Sequence, residues 1–102
     1  MFLVQLLIPL YDNDGRAFDA SEYVRLRVEL ADRFGGVTAY TRAPARGDWR
    51  GDSGDTSRDD IVIFEVMTTD LDHTWWTTFR KELEERFRQD ELIVRALTYY
   101  SL

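Results

Sequence analysis

The 102-residue chain has no cysteine, one histidine and two prolines. Without cysteine there can be no disulfide framework, thiolate zinc site or cysteine nucleophile, and any metal site would depend on His73 and carboxylates. Basic residues are also scarce: 13 Lys and Arg stand against 19 Asp and Glu, which gives a net charge of -6. All of the excess negative charge falls in residues 52–102. Because that half would repel a polyanion, we do not expect nucleic acid as a partner.

Long hydrophobic runs are missing as well. The apolar N-terminal run, MFLVQLLIPLY, is interrupted by Gln5 and is too short to span a bilayer. No basic residue precedes Arg16, so the run lacks the charged start of a signal peptide. We therefore expect no membrane partner and a cytoplasmic location. A chain of this length buries roughly 65% of its unfolded surface, so we expect residues 1–102 to form one domain around one core.

The hydrophobic pattern predicts four strands and two helices. Apolar runs of strand length and β-branched composition predict strands over residues 1–11, 37–42, 61–68 and 92–100. Apolar residues at three- and four-residue spacing predict helices over 20–34 and 72–89, with Asp19 and Asp72 as N-caps and Gly35 as a C-terminal stop. In the second helix, the spacing predicts the ion pairs Glu82–Arg86 and Glu84–Arg88. The charged, glycine-rich residues 43–60 are predicted to form a long hairpin loop that contains Trp49.

The element order βαββαβ indicates an α+β fold of the ferredoxin-like type. Two βαβ halves with right-handed crossovers form a four-stranded antiparallel sheet of order 4-1-3-2, with both helices on one face. The first strand is then central. Because Pro9 cannot donate a ladder hydrogen bond there, we expect pairing to end or bulge near Pro9.

Alternation along the strands separates two faces of this sheet. The wholly apolar set is expected beneath the helices: Phe2, Val4, Leu6, Val62, Phe64, Val66, Val94 and Ala96. The opposite face carries Leu3, Gln5, Leu7, Tyr40, Arg42, Ile61, Ile63, Glu65, Met67, Ile93, Arg95, Leu97 and Tyr99. This open face is too apolar to be left in water, so we expect a second copy of the chain to cover it and form a homodimer with a barrel between the subunits.

Three polar residues interrupt the open face near the middles of neighbouring strands. Gln5, Glu65 and Arg95 are predicted to form one polar row, and Glu65 is expected to pair with Arg95 because an unpaired buried carboxylate is costly. Two interpretations stay open. The pair either locks the dimer, or Glu65, oriented by Arg95 and Gln5, moves a proton while Tyr40 and the aliphatic wall hold a small substrate. Arg42 and Trp49 complete the set of candidate ligand-binding residues.

Three other features have ordinary structural explanations. His73, the third catalytic candidate beside Glu65 and Arg95, is isolated at the start of a helix, where a surface position is the commoner outcome. Trp49 either anchors its loop or contacts a ligand. The Asp12-x-Asp14-Gly15 segment has acids at calcium-loop spacing, but Ser21 stands where the last acidic ligand belongs. We therefore expect no metal and no cofactor.

Several short motifs are similar to those of known families. The segment Phe34-Gly35-Gly36-Val37-Thr38, then Gly47-Asp48-Trp49, then Arg86-Phe87-Arg88-Gln89-Asp90 resembles a group of uncharacterised bacterial domains with F-G-G-x-T, G-x-W and R-F-x-Q-[DE] motifs. The overall arrangement resembles the dimeric α+β barrel superfamily, which includes cofactor-free monooxygenases, small isomerases and haem-degrading enzymes. This resemblance implies a homodimer but assigns no activity.

The sequence therefore supports two hypotheses of different classes. The first is a small homodimeric binding or interaction domain of unassigned role. The alternative is a cofactor-free monooxygenase-like or isomerase-like enzyme that acts on a small apolar or aromatic molecule in the barrel cavity.

Overall fold

The structure, a computed structural model, describes residues 1–42 and 60–102, apart from the side chain of Arg42. Its elements are β1 (Phe2–Pro9), α1 (Ala20–Phe34), β2 (Thr38–Arg42), β3 (Ile61–Thr68), α2 (His73–Arg86) and β4 (Ile93–Thr98). This order confirms the βαββαβ prediction. The predicted hairpin loop and Trp49 lie outside the described residues, except for Asp60 at the end of that loop.

The four strands form one antiparallel sheet in the order β2-β3-β1-β4. Counted from the other edge, this is the predicted order 4-1-3-2, and the fold is ferredoxin-like α+β. The central strand β1 pairs with β3 on one side and β4 on the other, so that Gln5 lies directly between Glu65 and Arg95.

Both helices pack on the same face of the sheet. Val4, Leu6 and Ile8 of β1 alternate with half-buried neighbours and are at most 2% exposed. They form one core cluster with Phe64 and Val66 of β3 and with the apolar sides of both helices. The main helical contributors to this cluster are Leu26, Leu30, Trp76, Phe79, Leu83 and Phe87. Neither helix covers the opposite face, although Ile63 on that face is only 3% exposed.

The edge strand β4 is less covered than the pattern predicts. Val94 is half-buried and Ala96 is exposed, although both were expected beneath the helices, and Phe2 of β1 is also only half-buried. The buried aromatic residues of α2 belong to the core cluster with β1 and β3, and of β4 only Val94 packs against that cluster. The expectation of a fully covered helix face was therefore wrong at β4.

Helix α2 ends earlier than predicted, and one predicted ion pair is absent. The helix ends at Arg86, and Arg88 adopts a left-handed backbone with φ 51°. Glu84 therefore pairs with Arg80 at 2.9 Å rather than with Arg88, and it also accepts the backbone N–H of Leu92 at 2.9 Å. Arg88 instead lies 3.5 Å from the carboxylate of Asp12.

The other predicted pair, Glu82–Arg86, is confirmed at 2.8 Å. The same guanidinium also makes two bonds of 3.1 Å to Glu29 of α1. Arg86 thus links the two helices, and its side chain is only 8% exposed.

Pro9 lies at the end of β1, where strand pairing stops. It pairs with Ile61 at the end of β1, whereas the pairing of β1 with β4 stops two residues earlier, at Leu7 and Ile93. The Pro9 carbonyl accepts a hydrogen bond of 2.8 Å from the Tyr23 hydroxyl of α1. The position of a residue that cannot donate to the ladder thus agrees with the expected end of pairing.

Asp12 forms the turn that follows β1. Its carboxylate accepts the backbone N–H groups of Asp14 and Arg16, both at 2.9 Å. The bond from Arg16 is the largest of the effects that lower the pKa of Asp12, and the Arg88 guanidinium adds to it. The Asp12 carboxylate therefore stabilises a tight turn.

Candidate functional site

Strand pairing places four polar side chains in line across the open face. Thr38 of β2 pairs with Glu65 of β3, Glu65 with Gln5 of β1, and Gln5 with Arg95 of β4. Successive strands lie about 4.8 Å apart, so Glu65 and Arg95 are separated by roughly 10 Å between Cα atoms. We call Gln5, Glu65 and Arg95, together with the Tyr40 hydroxyl that joins them, the polar row.

The polar row is connected by hydrogen bonds that all run toward Glu65. Arg95 donates from Nε to Gln5 Oε1 at 2.8 Å, and Gln5 donates from Nε2 to Glu65 Oε2 at 2.7 Å. The Tyr40 hydroxyl donates to the same carboxylate oxygen at 3.0 Å. Oε2 of Glu65 therefore has two donors, and the amide of Gln5 is fixed in orientation by a donor on one side and an acceptor on the other.

The predicted ion pair between Glu65 and Arg95 is not formed, because β1 lies between their strands and Gln5 spans the gap. Glu65 has no salt-bridge partner among residues 1–41 and 60–102. The two terminal Nη atoms of Arg95 likewise have no hydrogen-bond partner in that part of the chain. The row consequently has an anionic end and a cationic end that are not neutralised by each other.

Apolar side chains flank the polar row on both sides. On one side lie Tyr40, Ile63, Leu7 and Ile93, and on the other lie Met67, Leu3 and Leu97. Ile63 is buried, but Met67 is 60% exposed, Ile93 52% and Leu97 46%. The site therefore consists of the polar row on an otherwise apolar surface. This combination suits a molecule with an apolar body and a few polar atoms.

The structure brings together four of the seven candidate residues: Gln5, Tyr40, Glu65 and Arg95. Arg42 pairs through its backbone with Ile61, and its side chain lies outside the described part of the structure, as does all of Trp49. His73 is the exposed first residue of α2, which packs on the other face of the sheet. It is therefore not part of the polar row.

Sequence reasoning missed one neighbour of the row and one contact within it. Thr38 stands directly across from Glu65, and its two-residue spacing from Tyr40 was the signal that could have placed it on this face. Tyr40 was expected only to help hold a substrate, but its hydroxyl contacts the carboxylate.

The described residues contain neither a cluster of three metal ligands nor a membrane-spanning helix. No group of three or more His, Asp or Glu side chains there could hold a metal ion. Neither α1 nor α2 combines the length and the apolar content that a membrane-spanning helix needs.

Comparison with known proteins finds solved structures of similar fold but does not assign the chain to a family. Neither a protein-family model nor a curated protein matches the chain. Two solved chains share its fold. A phage SAM lyase in complex with S-methyl-5'-thioadenosine aligns with a TM-score of 0.61 and 19% identity, over 94% of this chain and 79% of the other. A phage SAM lyase in the apo state aligns with a TM-score of 0.60 and 16% identity, over 94% and 78%.

Proposed function

We propose that this protein is a small self-associating domain that binds a cationic or zwitterionic small molecule on the open face of its sheet. The observation that carries the proposal is the state of Glu65. This half-buried carboxylate lies in the middle of an apolar face and is held by two hydrogen-bond donors, and no cation of residues 1–41 and 60–102 is paired with it.

A covered carboxylate needs a partner, and this requirement defines the ligand. Any molecule that covers the polar row removes water from Glu65, which is costly unless the molecule offers a cation or a donor. A carboxylate that is held only by two neutral donors pairs best with a cationic group such as an ammonium or a sulfonium. At the other end of the row, the terminal nitrogens of Arg95 suit a carboxylate.

The apolar side chains that flank the polar row provide hydrophobic contacts for the ligand. They also provide the surface for a second copy of the chain. Monomers rarely expose contiguous apolar patches of more than a few hundred Å². A partner subunit on this face shields Met67, Ile93 and Leu97 and closes the site from above, as in the dimeric α+β barrels that the sequence resembles. We also propose that the chain belongs to the uncharacterised bacterial family that it resembles. In the same proposal, residues 1–102 form a single domain and the protein is cytoplasmic.

The fold comparison suggests which ligands to test first. Because two solved chains that share this fold are phage SAM lyases, and one holds S-methyl-5'-thioadenosine, we choose S-adenosylmethionine and S-methyl-5'-thioadenosine. The first is a zwitterionic sulfonium and the second is its neutral thioether counterpart. The pair therefore separates recognition of charge from recognition of the nucleoside.

A cofactor-free enzyme is the second candidate, favoured by the same comparison and by the Glu65–Tyr40 contact. Release of S-methyl-5'-thioadenosine from S-adenosylmethionine breaks a carbon–sulfur bond, and the sulfur keeps the electron pair and becomes a neutral thioether. Loss of a proton from the adjacent carbon supplies the electron pair that forms a carbon–carbon double bond in the departing fragment. Glu65 is placed to hold the sulfonium or to accept a proton from the departing fragment. This chemistry requires no oxidant and no metal.

The test measures binding by calorimetry to the wild type, to Glu65→Gln and to Glu85→Gln. Glu85 is an exposed carboxylate of α2, so its variant removes the same charge from the other side of the molecule. We expect Glu65→Gln to weaken binding of S-adenosylmethionine about tenfold, which is about 1.4 kcal/mol, with little change for the neutral thioether. Chromatography of the incubated mixture then shows whether S-methyl-5'-thioadenosine is released. If neither compound binds, or if the Glu85 variant loses as much affinity, the assignment of the site is wrong.

A further inference from the structure

A concave site lies on the helical side of the sheet, between α2 and the edge strand β4. It is a cleft of about 320 Å³, at the lower end of the usual range for small-molecule pockets. Its floor is apolar and includes Val4, which is 2% exposed, and Trp76, which is 7% exposed. We call it the α2–β4 cleft.

The cleft exists because α2 leaves β4 uncovered. Ala96 has a side chain too small to fill the space beside the helix, and it remains exposed next to the half-buried Val94. The cleft therefore follows the outer edge of the sheet. It shares only Arg95 with the polar row, and the Nε of that residue is bonded to Gln5 on the opposite face.

The polar side of the cleft is basic. His73, Thr77 and Arg80 of α2 line it, and their spacing of four and then three residues puts them on one face of the helix. Arg80 uses one Nη to bond Glu84, and its other nitrogens have no hydrogen-bond partner in the described residues. No aspartate or glutamate of residues 1–42 and 60–102 lines the cleft, although acids outnumber bases in the chain as a whole.

We propose that the α2–β4 cleft binds a small organic carboxylate with a flat apolar body. The guanidinium of Arg80 has the fork geometry that suits a carboxylate, and the Thr77 hydroxyl adds a donor one helical turn away. The floor of Val4 and Trp76 accepts an apolar ring, which an inorganic anion does not supply. This site is independent of the function proposed for the open face.

The experiment uses phenylacetate as the probe and phenylacetamide as its neutral counterpart, followed by amide and indole NMR spectra of the whole chain. We expect phenylacetate to shift the Trp76 indole and Thr77 amide signals with saturable binding, and we expect phenylacetamide and inorganic phosphate to bind at least about tenfold more weakly. Equal binding of the acid and the amide, or shifts confined to the open face, would overturn the proposal.

Three variants separate recognition from folding. Arg80→Gln is expected to weaken phenylacetate binding about tenfold, whereas Arg27→Gln, which removes an exposed charge from α1, leaves it unchanged. Because Arg80 also bonds Glu84, Ala96→Phe provides a second test, since it fills the cleft from β4 without changing any charge. If Ala96→Phe retains a native spectrum and still binds phenylacetate as the wild type does, the ligand is not in this cleft.

Discussion

At the scale of single residues, the half-buried Tyr23 shows how one hydroxyl joins two elements. It donates to the Pro9 carbonyl at 2.8 Å, and its ring lies 5.8 Å from that of Phe87. Burial raises the pKa of Tyr23 to about 12, and the neighbouring Glu22 carboxylate adds to this effect. In an unfolded chain a tyrosine titrates near pH 10, so folding favours the neutral phenol.

Substitution of Tyr23 should therefore have an effect that depends on pH. Because the folded pKa is the higher one, the stabilisation is complete below about pH 10 and is lost as the pH rises through about 12. We expect Tyr23→Phe to lower the free energy of unfolding by about 1 kcal/mol near neutral pH, through loss of the hydrogen bond. The difference from the wild type should narrow near pH 11.

Urea unfolding at both pH values measures this difference. Tyr100→Phe serves as the control because Tyr100 is 85% exposed, and its substitution should change little at either pH. A gap between wild type and Tyr23→Phe that stays constant from neutral to alkaline pH would contradict the explanation.

At the scale of elements, the two helices are tied together by Arg86. Its guanidinium bonds Glu29 of α1 twice and Glu82 of α2 once, and its side chain is almost completely buried. A buried cation is tolerated only while its partners remain, so the stability of the helix pair depends on Glu29.

We expect Glu29→Gln to lower the free energy of unfolding by about 1 kcal/mol, because Arg86 keeps its position but loses a charged acceptor. The matched control is Asp32→Asn, which removes an exposed carboxylate from the same helix and should stay within about 0.5 kcal/mol of the wild type. Chemical unfolding of both variants measures the two effects. Equal losses would show that general charge, rather than the contact with Arg86, sets the stability.

The boundaries of most elements follow from the sequence, because alternation in the strands and three-to-four spacing in the helices reflect the same burial that the structure shows. The end of α2 did not follow, since Arg88 takes a left-handed backbone with no glycine to signal it. The partner of Glu84 was also ambiguous, because arginines stand both four residues before it and four after it. Local spacing cannot choose between them.

The sequence predicted which residues form the candidate site, but not which of them contact each other. Alternation placed Gln5, Glu65 and Arg95 on one face, and the predicted strand order already put β1 between the other two strands. The ion pair was expected because the cost of an unpaired carboxylate was weighed without the strand-to-strand distance. Gln5 makes that distance bridgeable by hydrogen bonds, and the site therefore keeps two separated charges.

At the scale of the whole molecule, the main feature is a sheet with only one face covered by helices. Met67, at 60% exposure, is the most exposed large apolar side chain that the strands place on the other face. If a second copy covers this face, as proposed above, the assembly depends on its apolar character.

We expect Met67→Lys to convert the assembled protein to a monomer of 12.0 kDa, because a charged side chain there is costly to bury. Val28→Lys is the control, since Val28 is 49% exposed on α1 and lies on the helical side. Light scattering during gel filtration gives the mass of each form. A wild type that is monomeric throughout the concentration range would refute self-association.

The central position of Gln5 also bears on how the chain avoids misfolding. A slip of β1 by one residue is opposed by the hydrophobic effect, since it would turn the buried side chains outward. A slip by two residues preserves the apolar and polar faces, so burial alone hardly penalises it. Such a misalignment would set Leu3 or Leu7 between Glu65 and Arg95 and leave both charged groups facing an aliphatic side chain. The glutamine therefore selects the native alignment against the errors that alternating hydrophobicity does not detect.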